Sequence, residues 1–330
     1  MRVYSQSWVS QYFEAGLRVH IAVENINRHE AYAKIREQAD ELLPEFEFEI
    51  VDPLVGKYTP CPLTSLRNGN DAECVRIATD TVILTPGVKI FCDRMEPAAP
   101  GEKAEGGCAL YSGSVQLKGN VDIGLTVGHL FEDVGLECTV RGNSLTSTLS
   151  VARCRTKISF IDLVDSLHKT TADLALLDLF FPAENTIVIN NATYLLKLYQ
   201  GFLSCIDCPQ VAILSYNGEM RYGQMDSTLF TVSALGLHNT LSIVNPDNNW
   251  SRVNSPGDSG ALVISVPDPE VSNEIVVYGM VIGYFESEDG TQSKTVATRL
   301  WDILHYVNKV SQFRVIPSSP ESGYMSIVEC

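Results

Sequence analysis

The sequence predicts a mainly β protein. Antiparallel strands in a barrel or sandwich arrangement are preceded by a small β-α-β unit and closed by one C-terminal helix. Three observations carry this expectation. Short apolar runs recur from about 81 to 300 with turn residues every 8–15 positions or so. Residues 17–50 switch from a two-residue to a helical period and back. The segment RLWDILHYVNKV places Leu300, Ile303, Leu304 and Val307 on one helical face.

The elements follow in chain order. Leu17, Val19, Ile21 and Val23 alternate with Arg18, His20, Ala22 and Glu24, which gives a strand with one buried face. Asn27 stands three residues before Glu30, an N-cap with its capping partner, and Tyr32, Ile35, Ala39, Leu42 and Leu43 continue at helical spacing until Pro44. Phe46, Phe48 and Ile50 alternate with Glu45, Glu47 and Glu49, a second strand whose order implies parallel pairing. A unit this small needs cover from the next domain or from a protein partner. Residues 51–80 are rich in Pro, Asn and Asp and read as a connector, so the N-terminal unit with its connector takes 1–80. Strands are expected at 81–84, 88–91, 115–117, 123–127, 174–179, 211–214, 262–266 and 275–282, which makes 81–310 the main domain. The stretch 311–330 is polar with Ser-Pro pairs and reads as a loose tail.

Composition excludes several classes of function. Of 330 residues, 45% are hydrophobic and 19% charged, enough for a packed core. The net charge of −16 argues against nucleic acid and anionic membranes, since both require clustered Lys and Arg. No 18-residue apolar run is present, so no membrane span is expected. The start, MRVYSQSWVSQYFEAG, lacks an apolar signal core, and nine scattered cysteines suggest free thiols, so a cytoplasmic location is expected. Cys205-Ile-Asp-Cys208 is a lone pair where zinc needs four ligands, so neither metal nor cofactor is expected.

The chemistry lies in three short blocks. SPGDSGALVI puts a tight turn with two glycines before a buried strand and lifts the hydroxyl of Ser259 to the edge of a rigid element. An ordinary hairpin turn has the same composition. A serine nucleophile needs an imidazole base and a buried carboxylate to orient it. Six histidines are available: His20 in a strand, His29 and His305 in helices, His168 and His238 in polar loops, and His129. His129, in LTVGHLF, is the one that directly follows an apolar strand. TADLALLD offers two carboxylates, Asp173 at the head of an apolar run and Asp178 further along it. A charge on such a run is costly unless it is used.

Together these blocks resemble those of the chymotrypsin-like (trypsin-fold) serine proteases. TVGHLF is similar to that family's Thr-Ala-Ala-His block, ADLALLDL to Asp-Ile-Ala-Leu-Leu, and SPGDSGALV to Gly-Asp-Ser-Gly-Gly. TVATRLWDILHYV resembles the family's closing strand and terminal helix, and the likeness spans about 82–310. The order His, Asp, Ser is that of this fold, with 44 residues from His129 to Asp173 and 86 from Asp173 to Ser259. The resemblance implies two antiparallel β-barrels and a serine endopeptidase acting on protein or peptide substrates. It implies His129, Asp173 and Ser259 as the triad, and the backbone N–H groups of Gly257 and Ser259 as the oxyanion hole. It places Val253 at the base of the specificity pocket, with Tyr284 and Thr295 on its walls. An apolar, narrowed pocket implies cleavage after small or medium uncharged residues.

Leu130 and Ser255 stand where secreted members carry half-cystines, so the likeness is to disulfide-free microbial and fungal members. No Arg/Lys-Ile-Val-Gly-Gly activation site is present, so Asp258 needs a partner other than a freed N-terminus. The alternative function is a catalytically inactive trypsin-fold scaffold or sensor that keeps the triad by descent.

Overall fold

The computed structural model describes residues 6–10, 18–22, 47–51, 56–60, 76–78, 81–92, 107–117, 121–141, 148–164, 169–199, 209–215, 219–232, 235–245, 247, 251–268, 270, 272–288, 290, 292–310, 315–316 and 326–328. The helix expected after Asn27, the Cys205–Cys208 pair, His29 and His168 lie outside them.

The N-terminal sheet consists of β1 (Gln6–Ser10), β2 (Arg18–Ala22) and β3 (Glu47–Val51). β2 and β3 pair in parallel, as their order implies, and β1 adds an antiparallel edge that the sequence reading did not include. The connector is not featureless. It supplies β4 (Gly56–Pro60) to the second large sheet and β5 (Arg76–Ala78) as partner of β6 (Thr81–Ile83).

The first large sheet is built from β7 (Lys89–Cys92), β8 (Gly107–Leu110), β9 (Gly113–Leu117), β10 (Val121–Thr126), β11 (Glu137–Arg141), β12 (Thr148–Val164) and β13 (Lys169–Leu179). Its order is β9-β10-β13-β12-β11-β7-β8, antiparallel throughout. The second contains β14 (Thr186–Ile189), β15 (Ala192–Tyr199), β16 (Gln210–Leu214), β17 (Met220–Val232), β18 (Leu237–Val244), β19 (Leu262–Ser265), β20 (Glu274–Ser287) and β21 (Ser293–Arg299). Within it β20-β19-β16-β17-β18-β21 returns to β20, so the sheet closes on itself and leaves no free edge along that circuit. These two curled sheets are the arrangement of the trypsin fold that the motif order implies.

Helix α1 (Leu300–Val310) follows β21 directly. Leu300, Ile303, Leu304 and Val307 are buried while His305 faces out, as the 3.6-residue period requires. Within the expected tail, β22 (Val315–Ile316) pairs with β9 and β23 (Ser326–Val328) pairs with β15. One apolar cluster runs through both sheets, from Ile90 and Leu125 to Leu262, Met280 and Leu304. Burying a side chain of this size contributes about 1.5–3 kcal/mol, so the two sheets are fastened along their common face. Among the described residues, no helix is long and apolar enough to cross a membrane.

Candidate active site

Each candidate side chain is positioned where a strand ends or is buried on both sides. β10 runs apolar to Thr126 and then breaks into a single 3-10 turn, Gly128–Leu130, which carries His129. The side chain of His129 is 10% exposed. Asp173 lies in β13, where residues 170–177 are all buried, and is itself fully buried. A bare carboxylate there would be costly. Two contacts from His129 compensate: its backbone N–H donates to Asp173 Oδ1 at 2.9 Å, and its Nδ1 makes a short hydrogen bond with Asp173 Oδ2. On the far side of the ring, Nε2 lies 2.9 Å from Ser259 Oγ. His129, Asp173 and Ser259 therefore meet, with the carboxylate and imidazole from the first sheet and the hydroxyl from the second.

Asp178 is excluded from this cluster by strand geometry. It is five residues from Asp173, an odd number, so its side chain projects from the opposite face of β13. It pairs there with Arg155 at 3.2 Å and is about half exposed (47%). His238 contributes its backbone N–H to Thr171 Oγ1, and His305 stacks loosely on Trp301.

The turn bearing Ser259 is held from both sheets. Gly257 has φ +92° and Gly260 φ +86°, values that L side chains avoid. A Cβ at Gly260 would lie 2.2 Å from the Leu110 carbonyl oxygen. That closeness is productive: Leu110 N–H donates to Ser259 O at 2.7 Å, and Ser112 Oγ donates to Gly260 O at 2.7 Å. From the second sheet, Gly260 N–H donates to Val281 O at 2.9 Å and Val281 N–H to Ala261 O at 2.8 Å.

Asp258 turns inward, and Arg221 supplies its charged partner. Nη1 of Arg221, on β17, donates to Asp258 Oδ2 at 2.7 Å. Ser255 N–H donates to the same oxygen at 2.7 Å, and Ser215 Oγ makes a short hydrogen bond to Oδ1. Burial raises the pKa of Asp258 above the usual carboxylate range, while the bonds from Ser215 and Ser255 and the charge of Arg221 oppose that rise. Sequence reasoning left this partner open. The available signal was a single Arg in the β16–β17 hairpin, and nothing local marks it.

The three expected pocket residues are brought together beside this turn. Thr295 is buried, and its Oγ1 accepts from Val253 N–H at 2.9 Å and Asn254 N–H at 3.0 Å while donating to Asn254 Oδ1 at 2.7 Å. Its hydroxyl is thus spent on fixing the backbone of 253–254. Val253 packs over Gly223, where a Cβ would approach its Cγ2 to 2.7 Å. Tyr284 pairs with Thr295 across β20–β21, and the Arg252 guanidinium stacks 3.8 Å over its ring.

No family model matches the chain, and no curated protein matches it. Among solved structures it is similar to a glutamic-acid-specific serine protease described as using a histidine triad in substrate binding. That alignment has 14% identity and a TM-score of 0.44, and covers 71% of this chain and 100% of the other. It is also similar to a Nocardiopsis protease (15% identity, TM-score 0.43, 71% and 98% covered). Cellulomonas bogoriensis chymotrypsin is a third (13%, 0.43, 72% and 100%).

Proposed function

We propose that the protein is a serine endopeptidase that hydrolyses protein or peptide substrates through an acyl-enzyme. The observation that carries this reading is the line of contacts from Asp173 through His129 to Ser259 Oγ. Ser259 Oγ attacks the substrate carbonyl carbon and passes its proton to His129 Nε2. Asp173 holds the imidazole in the tautomer that accepts at Nε2 and stabilises the imidazolium. The N–H groups of Gly257 and Ser259 receive the oxyanion. The tetrahedral adduct collapses, the C–N bond breaks, and the leaving amine takes the proton from His129. Water then repeats the sequence on the ester and releases Ser259.

In this reading the activating charge is built in. Arg221 supplies to Asp258 the cation that zymogen-type relatives obtain from a cleaved N-terminus, so the turn is formed without a processing cut. The pocket over Val253, narrowed by Tyr284 and Thr295, favours small or medium uncharged residues before the cut. The buried thiols of Cys138 and Cys154 suit a reducing, cytoplasmic setting. The test is turnover of an unfolded protein substrate by the wild type and by Ser259→Ala. Release of new N-termini by the first and not by the second supports the reading, and equal release contradicts it.

A further inference from the structure

The nucleophile turn bonds β20 at Val281, through Gly260 N–H to Val281 O and Val281 N–H to Ala261 O. Two residues further along that same edge of β20, Gly283 to Ser287 continue past the turn. β21 covers their opposite edge, pairing with Gly283, Tyr284 and Phe285. The edge beside Ser259 is therefore the place where an extended peptide would add as a strand and present a carbonyl to the hydroxyl. That edge is filled. β4 runs antiparallel along it, with Pro60 opposite Gly283, Thr59 opposite Tyr284, Tyr58 opposite Phe285 and Lys57 opposite Glu286.

The contact is fitted from both strands. Tyr58 Oη donates to Ile282 O at 3.1 Å, and its ring packs on the core shared by both sheets. A Cβ at Gly283 would lie 2.5 Å from Thr59 O and 2.7 Å from Tyr58 Oη. A Cβ at Gly56 would lie 2.3 Å from Glu286 O and 2.4 Å from the Phe285 ring. Each strand thus leaves out a side chain where the other passes. Pro60, opposite Gly283, has no N–H to donate to the ladder.

We propose that β4 is an autoinhibitory strand: the chain's own segment Gly56–Pro60 occupies the edge that a peptide substrate must pair with, so peptide cleavage requires β4 to leave. This rests on the endopeptidase reading. Substrate then binds with its affinity reduced by the fraction of molecules whose edge is open. A small acylating probe that does not pair with β20 is indifferent to the strand.

Two variants of the full chain test the proposal, each assayed for peptide turnover and for labelling of Ser259 by a small fluorophosphonate. Gly56→Val drives a side chain into Phe285 and Glu286 O and should expel β4. Lys57→Cys combined with Glu286→Cys places two thiols on opposed residues and, once oxidised, should hold β4 down with the fold kept. Expected results are peptide turnover raised about tenfold or more by Gly56→Val, and lowered by oxidation of the double variant with recovery on reduction. Labelling should be equal in all forms. A synthetic peptide covering 55–61 should bring Gly56→Val back toward the wild-type rate. Equal turnover by the oxidised and reduced double variant overturns the proposal while labelling leaves the endopeptidase reading standing. Absence of labelling in every form removes that reading itself, and the proposal with it.

Discussion

Ser259 Oγ and His129 Nε2 are 2.9 Å apart, close enough for direct proton transfer, so in the proposed reaction losing either group would remove the chemical step. Ser259→Ala should lower kcat by about 10⁶, equivalent to about 8 kcal/mol. Asp173→Asn should cost about 10⁴ with the fold intact, because the amide presents the wrong hydrogen-bonding pattern to Nδ1. Asp178→Asn should be nearly silent, since its half-exposed pair with Arg155 is far from the ring nitrogens in function and faces the other way. The reverse ranking of the two aspartates, measured as kcat on one peptide, would overturn the assignment. Arg221 carries a different prediction. Arg221→Met leaves Asp258 buried without its cation, which should cost stability toward the lower end of about 3–5 kcal/mol, because Arg221 is a quarter exposed. The sign of the pH dependence follows from the raised pKa of Asp258. As pH rises from the unfolded pKa to the folded one, the unfolded chain gives up its proton first and stability falls. Removing Arg221 raises the folded pKa further and widens that window, so the variant should recover stability relative to wild type as pH falls. Urea midpoints of both proteins at acidic and neutral pH check this.

At the scale of elements, what was legible in the sequence is what is encoded locally. β13 could be read because Thr170 to Leu177 form one buried run in which Asp173 is chemically out of place. The turn bearing Ser259 could be read because Gly257 and Gly260 mark backbone that must take positive φ. Arg221 could not be read, because its bond to Asp258 spans 37 residues and depends on how the β16–β17 hairpin lies over the turn. β4 could not be read for a related reason. Gly56-Lys57-Tyr58-Thr59-Pro60 lies in a stretch of turn-forming residues and takes strand form by pairing with β20. The proposed pocket lies between these cases: motif resemblance points to its residues, while the role of Thr295 as the tie for 253–254 emerges from the β20–β21 register. In the proposed pocket Val253 offers no carboxylate, so a buried cation there would go unpaired. A peptide library should therefore show cuts after residues such as Ala, Val or Leu. Dominant cleavage after Arg or Lys would sink this account of the pocket.

For the whole molecule, the core that joins the two sheets fastens them, and Cys138 and Cys154 are buried in it as thiols. Burial pushes the Cys138 thiol well up, with Cys92 and Cys154 nearby adding to the rise, and carries Cys154 up to about 11. Thiols held neutral in this way are poor nucleophiles, so they should resist alkylation until the chain unfolds. Thermal unfolding should give the same midpoint with and without reductant. A loss of even one native disulfide typically costs about 2–5 kcal/mol, so a clear drop on reduction would show that a bridge supports the fold. In the proposed mechanism the carboxylate and imidazole come from one sheet and the hydroxyl from the other, which would make catalysis a property of the docked pair, and one measurement addresses it directly. The folded protein is treated with a fluorophosphonate, digested, and the labelled peptide located by mass. The account predicts a single adduct on Ser259, abolished by unfolding and by His129→Ala. Folded protein that takes up no label, or takes it up on another residue, would contradict it.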